Sequence, residues 1–370
     1  MKPRNHLEAL SPYKPIEPHE VLSMRYGLGM EEIIKLDANE NPYGPLPAVR
    51  EALATFPHFN LYPDSECRSL RQSLSTFLDV PMDSLIVGAG ADELIDLLIR
   101  VLVEPGECVL NCPPTFGMYE FHTQLNGGCI IEQLRREDFS LDVPGIRRKV
   151  LEHRPKMLFL AIPNNPDGSM PLEEMLDEIL DLPTLVVLDE AYIEFADEKG
   201  GLGKNISRIR QVPKRKNLVV LRTFSKWAGL AGLRIGYGAF PEWLIPILWK
   251  SKQPYNVNIA AITAASISLQ HLSELAQIVS TIVAERQKMA EALKKYPFLS
   301  VYPSHANYLL VKVKGIPAAE LQKRLMVEFG IFVRYFNSPR LQDCIRISVG
   351  RPQDTEALIY AIDRIAEEID

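Results

Sequence analysis

The sequence predicts an α/β fold: a large domain on a mostly parallel sheet covered by helices on both faces, then a smaller α+β domain. Three observations carry this expectation. Short apolar runs, "SLIVGAG", "ECVLNCPP", "MLFLAIPNNPDG", "TLVVLDEAY" and "LVVLRTFSK", recur from about residue 85 and end in polar or Gly/Pro-rich turns. Amphipathic stretches such as "DELIDLLIRVLV" and "PLEEMLDEILDL" lie between several of them. That alternation is the pattern of βαβ units, and runs apolar on both faces belong to strands covered on both sides. After about residue 265 the pattern changes to one long helical stretch, "LSELAQIVSTIVAERQKMAEALKKY", followed by shorter mixed elements.

Taken in order, the first forty residues hold Pro3, Pro12, Pro15 and Pro18. They read as an extended arm (1–40) with one short helix around "PHEVLSMRYG". Residues 41–265 form the expected large domain. Residues 266–370 form the smaller one, with strand-like "ANYLLVKV", a helix "AAELQKRLMVEF", strand-like "IFVRYF" and "CIRISVG", and a final helix "DTEALIYAIDRIAEEI".

Composition narrows the function classes. With 46% hydrophobic and 24% charged residues, the 370-residue chain has the makeup of an ordinary globular protein with a large core. Its net charge of -6 argues against a general nucleic-acid binder, and Lys214-Arg215-Lys216 reads as a solvated loop. No run reaches the ~18 apolar residues of a membrane span. Five scattered cysteines, an odd number, argue against a disulfide framework and for a reducing, cytoplasmic setting. Cys108 and Cys112 are expected as buried thiols, with no metal site.

In open parallel sheets, ligands bind beyond the carboxyl ends of the strands. Asp189 ends one apolar run, Asn165 and Lys226 follow two others, and Gly90-Ala91-Asp92 joins a strand to a helix. A glycine-permitted turn into a helix N-terminus suits phosphate, and Thr223, Ser225 and Arg234 would complete the cup. Asp189 would hold a protonated ring nitrogen, Tyr192 a phenolic oxygen, Phe116 a ring face and Lys226 an aldehyde. Together these describe pyridoxal 5'-phosphate. A nicotinamide reading of "VGAGADE" is weakened by Glu93 where a third glycine belongs. A P-loop reading of "GGLGKN" fails at Asn205. A non-enzymatic binding protein would have no need of Lys226 with Asp189 and Tyr192.

The same residues carry a family resemblance. From "LSPYKP" and "KLDANENPYGP" through "YPD", "GAGADELIDLLIR", "CPPTFGMY", "PNNPDG", "LDEAYIEF" and "RTFSKWAGLAGLRIGYG" to "FVRYF" and "IRISVG", the chain resembles the fold-type I pyridoxal-phosphate-dependent aminotransferases. "DANENPYGP", "GADELI" and "DEAYIEF" are similar to the histidinol-phosphate branch of that family. The resemblance implies a homodimeric enzyme of histidine biosynthesis. It would exchange an amino group between histidinol phosphate and 2-oxoglutarate, giving glutamate in the reversible reaction.

Lys226, Asp189 and Tyr192 would be catalytic. Ala91, Asp92, Phe116, Asn165, Thr223, Ser225 and Arg234 would bind cofactor, joined by Tyr62 across a dimer interface. Tyr13, Asn41, Arg334 and Arg346 would bind substrate. Phe116 stands where many members carry Tyr, and Asp167 where Thr is usual; neither change removes a catalytic group. An aromatic aminotransferase and a threonine-phosphate decarboxylase of the same fold stay open as alternatives.

Overall fold

The computed structural model describes residues 2–12 and 15–369. Twelve strands occur in chain order: β1 (Ile34–Leu36), β2 (Leu85–Gly88), β3 (Cys108–Asn111), β4 (Cys129–Glu132), β5 (Met157–Ala161), β6 (Leu185–Asp189), β7 (Leu218–Thr223), β8 (Gly236–Ala239), β9 (Leu299–Val301), β10 (Tyr308–Val313), β11 (Ile331–Tyr335) and β12 (Cys344–Ser348). They form two sheets. The larger has the order β2-β8-β7-β6-β5-β3-β4 and the smaller the order β1-β11-β12-β10-β9.

The larger sheet is parallel except for β8, which runs antiparallel between β2 and β7. Its central strands are buried on both faces, and the side chains alternate between two apolar clusters. Leu158, Leu160, Val186, Leu188 and Val220 pack on one face. Met157, Phe159, Leu185, Val187 and Val219 pack on the other. Each fully buried large side chain contributes about 1.5–3 kcal/mol of transfer free energy, which keeps these runs apolar until close to their ends, where β7 carries the buried Arg222 paired with Glu194.

In the smaller sheet, β10, β11 and β12 are the expected strands of the C-terminal part. β1 comes from the N-terminal arm and pairs parallel with β11, with Lys35 opposite Phe332. It covers an edge that would otherwise expose unpaired backbone groups. The short helix of the arm forms at His19–Tyr26 and the long one at Leu272–Leu293. Among the described residues, no helix is long and apolar enough to cross a membrane.

One expectation is overturned. Cys108 is not a thiol: it is disulfide-bonded to Cys129, with Cα atoms 4.5 Å apart. The two face each other in register on the neighbouring strands β3 and β4. Their separation of 21 residues hides that adjacency from any reading of spacing. Cys112 is a buried free thiol as expected, and burial pushes it up to about 12.

Candidate active site

Strand register gathers the residues. Gly88 of β2 pairs with Gly236 of β8, and Gly236 also pairs with Thr223 of β7. Because β8 is antiparallel, its first residue lies at the edge where its parallel neighbours end. Gly90 therefore meets Ser225 and Arg234 there from a distant part of the chain. Gly90 has φ +86°, and a Cβ on it would stand 2.6 Å from Arg234 Nη2. A Cβ on Gly236 would stand 2.6 Å from the Ala91 nitrogen. Only glycine permits both approaches.

The helix Ala91–Leu102 starts at this point, so its first N–H groups and positive dipole end face the strand edge. Arg234 Nη2 pairs with Asp92 Oδ2 at 3.0 Å. The Thr223 and Ser225 hydroxyls are hydrogen-bonded to one another at 2.9 Å. Donors outnumber acceptors here, which makes an anion cup.

Ala161 of β5 pairs with Asp189 of β6. Asp189 Oδ2 accepts a hydrogen bond from Tyr119 Oη at 2.7 Å, and Oδ1 accepts from the Ala191 N–H at 3.2 Å. Burial pushes this carboxyl up to about 6, with the Tyr119 bond opposing the rise. Tyr192 Oη accepts from Asn39 Nδ2 at 3.0 Å, which leaves its own proton free to donate elsewhere. Lys226 Nζ lies 5.9 Å from the Tyr192 ring centroid and 3.3 Å from the Ala38 carbonyl oxygen. Desolvation, reinforced by the Arg346 charge, pushes its ammonium down to about 8.

These side chains line one cavity of ≈ 130 Å³ that includes Phe116, Asn165, Asp189, Tyr192, Lys226 and Arg234. The donor set fits pyridoxal phosphate: an anion cup at one end, a buried carboxylate along one wall, a phenol with an amide, and an amine. A second cavity of ≈ 520 Å³ adjoins it, sharing Phe116 and Asn165 and lined by Arg334, Phe336 and Arg346. Arg334 of β11 sits directly opposite Arg346 of β12. Directly opposed residues share a face, and like charges there repel. Arg346 donates only to neutral oxygens, Asn165 Oδ1 at 2.7 Å and the Asp37 carbonyl at 2.6 Å. Its Nε is buried without a partner among the described residues.

Two candidates lie elsewhere. Asn41 lines neither cavity; its Nδ2 donates to the Trp227 carbonyl at 3.0 Å and its Oδ1 accepts from the Tyr43 N–H at 2.9 Å. Tyr62 is 83% exposed and stacks on Tyr255 with centroids 4.7 Å apart. Tyr13 falls outside the described residues. The departure at Asp167 keeps its turn intact: Asp167 accepts from Asn164 Nδ2 and from the Ser169 N–H, the latter at 2.9 Å.

Two residues escape the sequence reading, Tyr119 and Asn39. Tyr119 stands three residues after Phe116 at the start of a helix, a spacing that returns both rings to one side. That was the available signal. Nothing in the sequence points Asn39 toward Tyr192.

Residues 31–365 match the model of the family "Aminotransferase class I and II". The chain is 49% identical over 359 residues to a chloroplastic histidinol-phosphate aminotransferase of Nicotiana tabacum, covering 97% of this chain and 85% of the relative. It is 48% identical to a histidinol-phosphate aminotransferase of Roseiflexus castenholzii, covering 98% of each. Among solved structures it is similar to the histidinol-phosphate aminotransferase of Sinorhizobium meliloti in complex with pyridoxal-5'-phosphate. That match has a TM-score of 0.88 and 27% identity, over 99% of this chain and 98% of the other.

Proposed function

This chain belongs to the class I and II aminotransferases, and within them to the histidinol-phosphate aminotransferases; we propose that its substrates are L-histidinol phosphate with 2-oxoglutarate, and in reverse 3-(imidazol-4-yl)-2-oxopropyl phosphate with L-glutamate. It is a pyridoxal-phosphate-dependent aminotransferase, and the cofactor supplies an aldehyde and an electron-accepting ring for amino exchange. The chain's own residues bind, aim and move protons.

Lys226 Nζ would be the point of attachment and the base that takes the proton from the substrate Cα. An amine pushed down to about 8 reaches its neutral form close to physiological pH. Asp189 would face the ring nitrogen, and Tyr192 and Asn165 the phenolic oxygen. The backbone N–H groups of Ala91 and Asp92 would hold the phosphate with Thr223, Ser225 and Arg234. Phe116 would cover one ring face. Asn41 braces the loop that carries Lys226 through its bond to the Trp227 carbonyl.

The observation that carries the substrate assignment is the in-register pair Arg334 and Arg346 beside the buried lysine. Histidinol phosphate brings a phosphate and no α-carboxylate, while glutamate brings two carboxylates. Arg346, bonded to neutral oxygens, and Arg334, set over the Phe336 ring, can together accept either anion.

The same reading makes the enzyme a homodimer with composite sites, and the three cysteines that stay free thiols beside the Cys108–Cys129 bond support a cytoplasmic setting. Tyr62, with Tyr13 of the arm, serves the neighbouring protomer's site. Support comes from the exposed apolar strip of Phe59 (55%), Leu61 (57%) and Tyr62, which a single chain leaves in water. The chain is divided into a body on the larger sheet through about residue 265 and a body on the smaller sheet after it, with β1 added to the latter.

The test is a comparison of amino donors. Histidinol phosphate with 2-oxoglutarate should be turned over far more efficiently than phenylalanine or unphosphorylated histidinol, and threonine phosphate should release no carbon dioxide. Preference for phenylalanine would make this an aromatic aminotransferase, and carbon dioxide release a decarboxylase. Mixed dimers of a Lys226→Ala subunit and a Tyr62→Ala subunit should recover activity. A fully active monomer would remove Tyr62 from the site.

A further inference from the structure

Asp189 is not held by the backbone alone. Tyr119 is fully buried, its ring stacked on Phe159 with centroids 4.8 Å apart and planes 7° apart. Phe116 meets the same ring edge-on at 5.6 Å. This packing leaves the hydroxyl little choice of direction, and it donates to Asp189 Oδ2 at 2.7 Å. Oδ1 takes the Ala191 N–H at 3.2 Å. Each carboxylate oxygen accepts two hydrogen bonds, so one site on each remains for a ligand in the cavity.

A buried carboxylate facing a pyridine nitrogen shares one proton with it. Two arrangements compete: carboxylate with pyridinium, or carboxylic acid with neutral pyridine. Burial favours the uncharged arrangement, because both partners then leave water without charge. A donor bonded to the carboxylate favours the charged arrangement, because the bond is stronger to the ionised oxygen. Tyr119 is the side chain that supplies such a donor, and burial and the Asp189 charge hold its phenol far above its ordinary value, so it does not lose that proton itself.

We propose that Tyr119 is a positioning residue that keeps the shared proton on the cofactor's ring nitrogen rather than on Asp189. The ring then stays an effective electron sink when the substrate Cα loses its proton. This rests on the placement of Asp189 beside the ring nitrogen.

Holoenzyme reconstituted with cofactor labelled with nitrogen-15 in the ring tests it by NMR. The wild type should show the resonance of a protonated pyridinium; a neutral-pyridine resonance would sink the Asp189 placement itself. Tyr119→Phe keeps the stacked ring and removes only the donor. Its resonance should move toward the neutral value, with kcat falling ~10-fold to ~100-fold, the size expected for one hydrogen bond to a charged group, and KM little changed. Difluorotyrosine placed at position 119, a stronger donor, should restore both the pyridinium resonance and kcat. If Tyr119→Phe leaves the resonance at the wild-type value, Tyr119 only packs and the proposal fails. Should Tyr119→Phe not fold, replacing the phenol by the weaker aniline N–H donor of 4-aminophenylalanine at position 119 must move the resonance the same way, or the proposal fails.

Discussion

On the proposed cofactor side of the site, Asp189, Thr223, Ser225 and Arg234 hang from the ends of one sheet and are bonded to protein partners. On the proposed substrate side, Arg334 and Arg346 face each other on the other sheet, and Arg346 Nε has no partner among the described residues. The first arrangement is complete before any ligand arrives, which is what preorganised electrostatics require. The second sets two like charges on one face, an arrangement that an anion bound between them would stabilise. A cofactor that stays bound calls for the first, and two substrates that alternate call for the second.

The largest expected effect breaks the cofactor side. Lys226→Ala should abolish the visible absorption of covalently attached cofactor and lower turnover on the order of a thousandfold or more. Borohydride reduction of the wild type followed by peptide mapping should find the cofactor on Lys226. A label on another lysine would reassign the site.

Next comes the substrate side. Losing one partner of a desolvated anion costs about 2–5 kcal/mol, or roughly thirtyfold to several thousandfold in kcat/KM. Arg346→Ala should show this in both half-reactions, with histidinol phosphate and with glutamate, measured separately by stopped flow. An effect confined to one of them would mean that the two anions use different arginines.

A smaller effect sharpens the comparison through pH. Burial pushes the Asp189 carboxyl up to about 6 from 3.8. The folded protein therefore binds that proton more readily than the unfolded chain between those values. Cofactor-free protein should lose stability as pH rises through that window, by on the order of 3 kcal/mol at ~1.4 kcal/mol per unit. Asp189→Asn should flatten that slope in urea unfolding between pH ~4 and ~6. Equal slopes for the two proteins would mean that the cavity hydrates Asp189 well.

The smallest is Gly90→Ala. With φ +86° and Arg234 Nη2 2.6 Å from the new Cβ, the substitution costs about 1 kcal/mol of backbone strain and displaces one guanidinium. Cofactor affinity should fall about tenfold, read by equilibrium dialysis, with the visible spectrum unchanged. Unchanged affinity would take Arg234 out of the cup.

Much of the cofactor side was legible because a parallel sheet orders its own chemistry. Strands buried on both faces are apolar until they end, so Asp189, Asn165 and Lys226 stand out where the apolar runs stop, and such a sheet collects those ends along one edge. The arginines were legible only through family resemblance. Nothing in "FVRYF" or "IRISVG" says that residues 334 and 346 oppose each other, because register is set between strands and not along them.

The sequence by itself determined which segments are apolar on two faces, where they end, and which polar groups stand at those ends, since these follow from local pattern and burial. Only the tertiary structure decided that β8 inserts antiparallel and returns Arg234 to the cup, that Tyr119 reaches Asp189, that Asn39 reaches Tyr192, and that Cys108 meets Cys129. Each of these depends on strand order and register across tens to hundreds of residues. Local pattern fixes which face a side chain takes, and the packing of elements against one another fixes what that face meets.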